Sequence, residues 1–358
     1  MISPAIHTLA AQGQSLWLDN INRSLIDSGT LDRYIQEDGV TGLTSNPSIF
    51  DHALQHSTAY DDQIHSPSFR TLDKESAFFS LAITDLTRAA QRFLSVHRRT
   101  AGLDGWVSLE VSPRLAHAAL RTFAQAWQLH SKAALPNLMI KIPGTSEGCQ
   151  AITKAIASGV PVNVTLLFSA EQYKAAADAY MSGLEQRLAA GESVNILSVA
   201  SVFISRWDVA LNPKLPDTLR NRLGIMVAQT CYQTFQEIQR TPRWQRLADA
   251  GAPAQRLLWA STGTKDPELP EDFYVSALVA PQTINTLPEK TLQCLTQQRW
   301  SAVPMATDSD ALQEILASVA TAGIDIHAEA QILQEAGAEA FVAAWMHLVQ
   351  TVARKMAK

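Results

Sequence analysis

Cysteine is scarce in this sequence, with three residues in 358. Cys149, Cys231 and Cys294 are odd in number and far apart, which argues against a disulfide framework. Free thiols suit a reducing compartment, and a cytoplasmic location is expected. Each cysteine falls in a helix-like stretch with no histidine beside it, so packing is its expected role. Positive charge is also short. Lys and Arg number 29 against 34 Asp and Glu, a net charge of −5. No basic block or stripe appears, so nucleic acid is not an expected partner. No apolar run approaches the ~20 residues of a membrane span. The N-terminal stretch lacks a basic n-region and a long h-region, so neither a membrane nor a signal peptide is expected. Metal-ligand patterns are missing as well. His52 and His56 lie four apart on a helical stretch but have no third ligand nearby, and read as surface residues. Neither G-x-G-x-x-G nor G-x-x-x-x-G-K-[ST] occurs, and no linker, repeat or low-complexity tract divides the chain.

What remains is ordinary globular composition, 46% hydrophobic and 18% charged, with length enough for a large core. Short β-prone runs alternate with helical ones. The runs are Ser15 to Asp19, Gly39 to Asn46, Trp106 to Val111, Leu138 to Pro143, Val160 to Phe168, Val194 to Ile204, Arg256 to Ser261 and Phe273 to Val279. Between them lie helical stretches. One from Ser24 to Ile35 is interrupted at Gly29, and one starting at Ser112-Pro113 runs through Phe123 and Trp127. Another follows a Ser169/Gln172 capping box. A polar-amphipathic helical insertion is expected at about 51–100, and a C-terminal helical extension at about 308–358. In the latter Ile332, Leu333, Phe341, Ala344, Trp345, Leu348 and Val352 share one face. Strands separated by helices imply parallel pairing with crossover connections. About eight such units close into a (β/α)₈ TIM barrel, expected as one domain over 1–358. An open doubly wound sheet usually carries a glycine-rich phosphate turn after its first strand, and none is present.

Polar residues fall where a barrel would use them. Lys141 interrupts the apolar strand 137–144. A desolvated lysine amine is a nucleophile that forms Schiff bases with carbonyls; a lysine snorkelling from a strand end is the plainer alternative. Asp19, Asn46, Glu110, Asn163, Thr165, Ser201 and Ser261 also lie within or at the C-terminal ends of strands. In a barrel those ends converge on one mouth. Singly, each reads as a turn or cap residue. Together on an inner face they need mutual hydrogen bonds or a ligand.

The strands carry signatures that resemble the transaldolase family. These are Thr44-Ser45-Asn46-Pro47-Ser48, Val107 to Val111, Met139-Ile140-Lys141-Ile142-Pro143-Gly144-Thr145, Asn163 to Ser169, and Ser201-Val202-Phe203-Ile204-Ser205-Arg206. The likeness runs from about Trp17 to the C-terminal helix, and the Trp259 to Lys265 turn looks like the longer bacterial branch. It implies transfer of a dihydroxyacetone unit between sugar phosphates in the non-oxidative pentose phosphate pathway, without metal or cofactor. By that likeness Lys141 matches the Schiff-base lysine. Glu110 matches the acid/base acting through a water that Thr165 helps to hold. Asp19 matches the group that takes the donor's C4 hydroxyl proton. Asn46, Asn163 and Ser201 match partners of the bound unit, Phe203 lines the site, and Arg206 matches a phosphate ligand. The chain departs from the shorter members at Gly263, where they carry a second phosphate-binding arginine; Ser261 and Lys265 are expected to replace it. An aldolase releasing free dihydroxyacetone and a silent sugar-phosphate-binding barrel stay open as alternatives. So do monomer and homodimer.

Overall fold

The structure, a computed structural model, describes residues 3–69, 71–297, 303–306 and 309–357. Eight strands pair in chain order into a closed barrel. They are β1 (Gln14–Leu18), β2 (Val40–Leu43), β3 (Val107–Glu110), β4 (Leu138–Pro143), β5 (Val162–Leu167), β6 (Ser198–Phe203), β7 (Arg256–Ala260) and β8 (Thr283–Leu287). Every neighbouring pair is parallel, and β8 closes on β1 with Trp17 opposite Thr286. The strands are buried along their whole length, apart from Ser15 and Thr41. That is why they read as short apolar runs.

The β–helix turns are fixed by side-chain caps. Asn46, Thr145 and Ser169 each accept a backbone N–H at the start of the helix that follows β2, β4 and β5. Such a cap contributes about 1 kcal/mol. The Ser169 cap is completed by Gln172, whose Oε1 accepts from the N–H of Phe168 at 2.7 Å. Gly29, at φ 75°, separates helices Arg23–Asp27 and Thr30–Gln36. Gly42 is required by contact, since a Cβ there would stand 2.7 Å from the Trp17 ring.

Between β2 and β3 the chain makes helices Pro47–His56, Asp61–Ile64 and Lys74–Arg99. Arg23 pins this region to the end of β1: its guanidinium reaches buried Asp85 at 2.8 Å and lies over the Tyr60 ring. After β8 come helices Glu289–Gln297, Ser309–Thr321 and Ile326–Met356. Residues 308 and 358, the expected limits of the C-terminal extension, lie outside the described residues. The last helix packs on Pro47–His56 and Lys74–Arg99, with Trp345 edge-on to Phe78 at 5.0 Å. Leu333, Phe341, Trp345, Leu348 and Val352 are buried on it.

The structure corrects four sequence expectations. Phe273–Ala277 is a short helix, and the eighth strand is Thr283–Leu287. A short apolar run fits a buried helical turn as well as a strand, and length did not separate the two. The true strand carries Thr283, Asn285 and Thr286, whose hydroxyls and amide are buried, so it lacks an apolar signature. Ser112-Pro113 opens only a 3₁₀ turn, Pro113–Leu115; the helix proper is Ala119–Ala133. The strand expected over Val194 to Ile204 is confined to Ser198–Phe203. Ile332, placed on the packed face of the last helix, is 58% exposed; it sits one residue off the buried stripe through Leu333.

Candidate active site

Lys141 sits on β4 in register with Glu110 of β3 on one side and Asn163 of β5 on the other. Its side chain is 7% exposed, and Nζ donates to the Ser45 carbonyl at 3.1 Å. Glu110 Oε2 stands 3.8 Å from Nζ, and the Phe341 ring centroid 6.0 Å away. The amine is therefore held by one neutral acceptor and one carboxylate, with an aromatic ring above.

Glu110 is pushed up to about 7, chiefly by burial; Lys141 pulls it down and Asp19 pushes it further up. A carboxyl balanced near neutrality can donate or accept a proton at working pH. Its Oε2 and the Thr165 hydroxyl are both buried and make no hydrogen bond to a described residue. Asp19 follows β1. Burial raises its carboxyl above the ordinary range, against the charges of Lys141 and Lys265 and a hydrogen bond from Thr44. The two carboxyls thus have different partners, and burial raises both.

A cavity of 210 Å³ opens over these groups. Lys141, Asp19, Asn46, Thr165, Ser201, Phe203, Arg206, Ser261 and Lys265 line it. Nine of the eleven site residues expected from sequence are thus brought together. Glu110 and Asn163 lie just behind the wall. The Asn163 amide is engaged on both sides, donating to Ser108 Oγ at 3.2 Å and accepting from Ser201 Oγ at 2.7 Å. Asn46 keeps its cap, Oδ1 accepting from the N–H of Ile49, and still faces the cavity.

The rim carries positive charge. Arg206 packs over the Phe203 ring at 5.3 Å and has no ion pair or hydrogen bond among the described residues. Lys265 likewise has no such partner there. Beside them Ser205 and Ser261 share a hydroxyl contact of 2.9 Å, with the N–H of Ser205 donating to the Ser261 carbonyl at 3.0 Å. Ser261 adopts φ 56°, uncommon for a side chain, which turns the chain sharply after β7. Gly263 packs against Pro288 so closely that a Cβ would stand 3.0 Å from the ring. A side chain there would require the Pro288 ring to give way by a few tenths of an ångström.

Among the wall residues that sequence reasoning did not assign to the site, four stand out. Thr44 and Ser48 stand in the quoted Thr44–Ser48 signature without a role assigned, and Phe341 was read as packing alone. Thr286 belongs to the strand that was not recognised. All four line the cavity. Phe341 comes from the helix Ile326–Met356, which is tied across the barrel mouth by Gln334. Its Nε2 donates to the carbonyls of Gly144 at 3.1 Å and Leu166 at 2.9 Å. Leu166 sits at φ 61°, beside a register shift in β5; the bulge aims its carbonyl at Gln334.

The described residues hold no cluster of three or more His, Cys, Asp and Glu side chains that could hold a metal, and the His52 and His56 rings merely stack at 4.3 Å. Burial pushes the Cys149 thiol up to about 11 and Cys231 higher still, away from reactivity. No described helix is long and apolar enough to cross a membrane.

A closed parallel barrel gathers a buried lysine amine, two carboxyls and a cationic rim at the C-terminal ends of its strands, where barrel enzymes place their active sites. The sequence pattern of the Transaldolase/Fructose-6-phosphate aldolase family matches residues 16–352. The chain is 39% identical to the transaldolase of Parafrankia sp. (strain EAN1pec) over 366 residues, covering 99% of each chain. It is 40% identical to that of Thermobifida fusca (strain YX) over 361 residues, 98% of each. The chain belongs to the transaldolase/fructose-6-phosphate aldolase family and is a transferase.

Proposed function

We propose that this enzyme transfers a dihydroxyacetone unit between sugar phosphates through a Schiff base on Lys141. The observation that carries the reading is the Lys141 amine, buried at the mouth of the barrel 3.8 Å from a carboxyl poised near neutrality. The amine adds to the donor ketone at C2. Glu110, through a water held with Thr165, protonates the departing hydroxyl, which leaves as water. Asp19 takes the proton of the C4 hydroxyl, the C3–C4 bond breaks, and its electron pair passes into the iminium to give an enamine. An aldehyde leaves. The enamine then attacks an acceptor aldehyde, Asp19 returns its proton to the new hydroxyl, and water hydrolyses the iminium. Sedoheptulose 7-phosphate and glyceraldehyde 3-phosphate would give erythrose 4-phosphate and fructose 6-phosphate, as in the non-oxidative pentose phosphate pathway.

In this reading Asn46 and Ser201 hold the hydroxyls of the bound unit, and Asn163 orients Ser201. Phe203 walls the site. Arg206, with Ser261 and Lys265, receives the phosphate. The free thiols suit a reducing cytoplasm.

Aldol cleavage with release of dihydroxyacetone shares the lysine and differs only in what captures the enamine. The Phe341 ring stands 6.0 Å from the Lys141 amine, and in this reading it shields the enamine from protonation while an aldehyde acceptor binds. A coupled assay with and without an acceptor aldehyde separates the two. Borohydride reduction in the presence of fructose 6-phosphate tests the lysine. A mass increase on Lys141, lost in Lys141→Ala, is expected. No increase, or equal labelling of the variant, would overturn the assignment.

A further inference from the structure

Thr286 is a buried hydroxyl at the wall of the cavity with no place in the chemistry above. Its Oγ1 lies 2.7 Å from Thr44 Oγ1, its one hydrogen-bond partner among the described residues. Thr44 Oγ1 in turn lies 2.9 Å from Asp19 Oδ1. A carboxylate can only accept, so Thr44 gives its single proton to Asp19. The second contact then has one possible polarity: Thr286 donates to Thr44. The chain Thr286 to Thr44 to Asp19 points one way as long as Asp19 is ionised. Each bond in such a chain polarises the next.

We propose that Thr286 is a positioning residue which, acting through Thr44, fixes the orientation of the Asp19 carboxylate. The proposal rests on Asp19 being the acceptor of the C4 hydroxyl proton. The geometry supplies the reason such a residue is needed. Oδ1 is occupied by Thr44, while Oδ2 has no hydrogen bond among the described residues. The relay therefore dedicates one oxygen to the scaffold and leaves the other for substrate. Without it the carboxylate can rotate about its Cβ–Cγ bond and present either oxygen.

The relay is anchored at every step by backbone. The Asp19 N–H donates to the Leu287 carbonyl at 2.7 Å, and the Thr44 N–H to the Leu18 carbonyl at 2.8 Å. Thr262 Oγ1 shares its one proton between the Thr286 carbonyl at 3.1 Å and Asn285 Oδ1 at 2.9 Å. The ends of β8, β1 and β2 are thus tied together around one carboxyl. The charged groups that act on Asp19 are Lys141 from β4 and Lys265 from the loop after β7, and Asp19 in turn raises Glu110 of β3. Thr44 supplies its neutral donor.

Thr286→Val keeps the branched shape and removes the hydroxyl; Thr286→Ser keeps the hydroxyl. In the full-length enzyme, Thr286→Val is expected to lose roughly ten- to a hundredfold in kcat for transfer, the scale of a misplaced reacting group. KM should be nearly unchanged and Thr286→Ser close to wild type. Weakening the donor chain should also move the acid limb of the kcat profile to higher pH. Borohydride trapping with fructose 6-phosphate should persist in Thr286→Val, because imine formation does not use Asp19. An unchanged kcat in Thr286→Val overturns the proposal. So does equal loss in Thr286→Val and Thr286→Ser with a lowered Tm and an unmoved pH limb, which marks a purely structural role. If Asp19→Asn keeps the wild-type kcat for transfer, the reading of Asp19 as proton acceptor fails instead, so the two failures are distinguishable.

Discussion

Replacing Glu110 by glutamine should make the protein more stable at alkaline pH while it disables the enzyme. Burial carries the Glu110 carboxyl from an ordinary 4.5 to about 7 in the folded state. At ~1.4 kcal/mol per tenfold change in acidity, that is about 3 kcal/mol. Between these two values the folded state holds a proton that the unfolded state has released. Stability from this group is therefore fully present below about 4.5 and declines as pH rises to about 7, beyond which the cost is constant. Glutamine matches the protonated carboxyl in shape and does not titrate. The two proteins should be close in stability near ~pH 4, and the variant ahead by about 3 kcal/mol near ~pH 8. Groups common to both cancel in the comparison. Urea unfolding followed by tryptophan fluorescence across this range measures the difference. Parallel stability curves would refute the reasoning. A wild type that is the more stable at high pH would also refute it, by showing that attraction to Lys141 outweighs desolvation. In kinetics, the limb of kcat/KM that falls near pH 7 in the wild type should be absent from the residual activity of Glu110→Gln.

Arg206→Ala should raise KM for fructose 6-phosphate roughly ten- to a hundredfold, the loss of charge-assisted hydrogen bonds, while borohydride trapping of unphosphorylated dihydroxyacetone stays as in the wild type. Lys265→Ala should raise the same KM by less, roughly threefold to tenfold, because its ammonium is a hydrated point charge rather than a fork. Phe341→Ala opens the space over Lys141 and should increase free dihydroxyacetone release relative to transfer, read by the coupled assay with and without acceptor. Asp104→Asn strips the buried Arg256 of its ion partner at 3.2 Å and should cost about 3–5 kcal/mol of stability, with activity per folded molecule retained.

Lys141 was legible because a single charge inside an apolar strand has few explanations. The other polar residues at strand ends were legible for the same reason in weaker form. Each could be a cap, and Asn46 is one, yet it also faces the cavity. The two roles do not compete, because the cap uses Oδ1 and leaves the amide N–H groups without a partner among the described residues. What stayed hidden shares a different cause. Strand prediction rewards apolar residues, so the short helix Phe273–Ala277 took the place of β8, whose threonine hydroxyls and Asn285 Oδ1 are hydrogen-bonded inside the barrel. The strand that escaped notice therefore carried Thr286, a site residue that escaped notice with it. Phe341 was hidden by distance: it lies 200 residues beyond Lys141 in the chain, and only the anchoring of Gln334 to Gly144 and Leu166 brings its helix across the mouth. In a barrel whose strands already hold the reacting groups, the remaining control over proton and water falls to residues that look structural. A hydroxyl two bonds removed from the chemistry and a ring on the last helix are where differences between transfer and release should be sought.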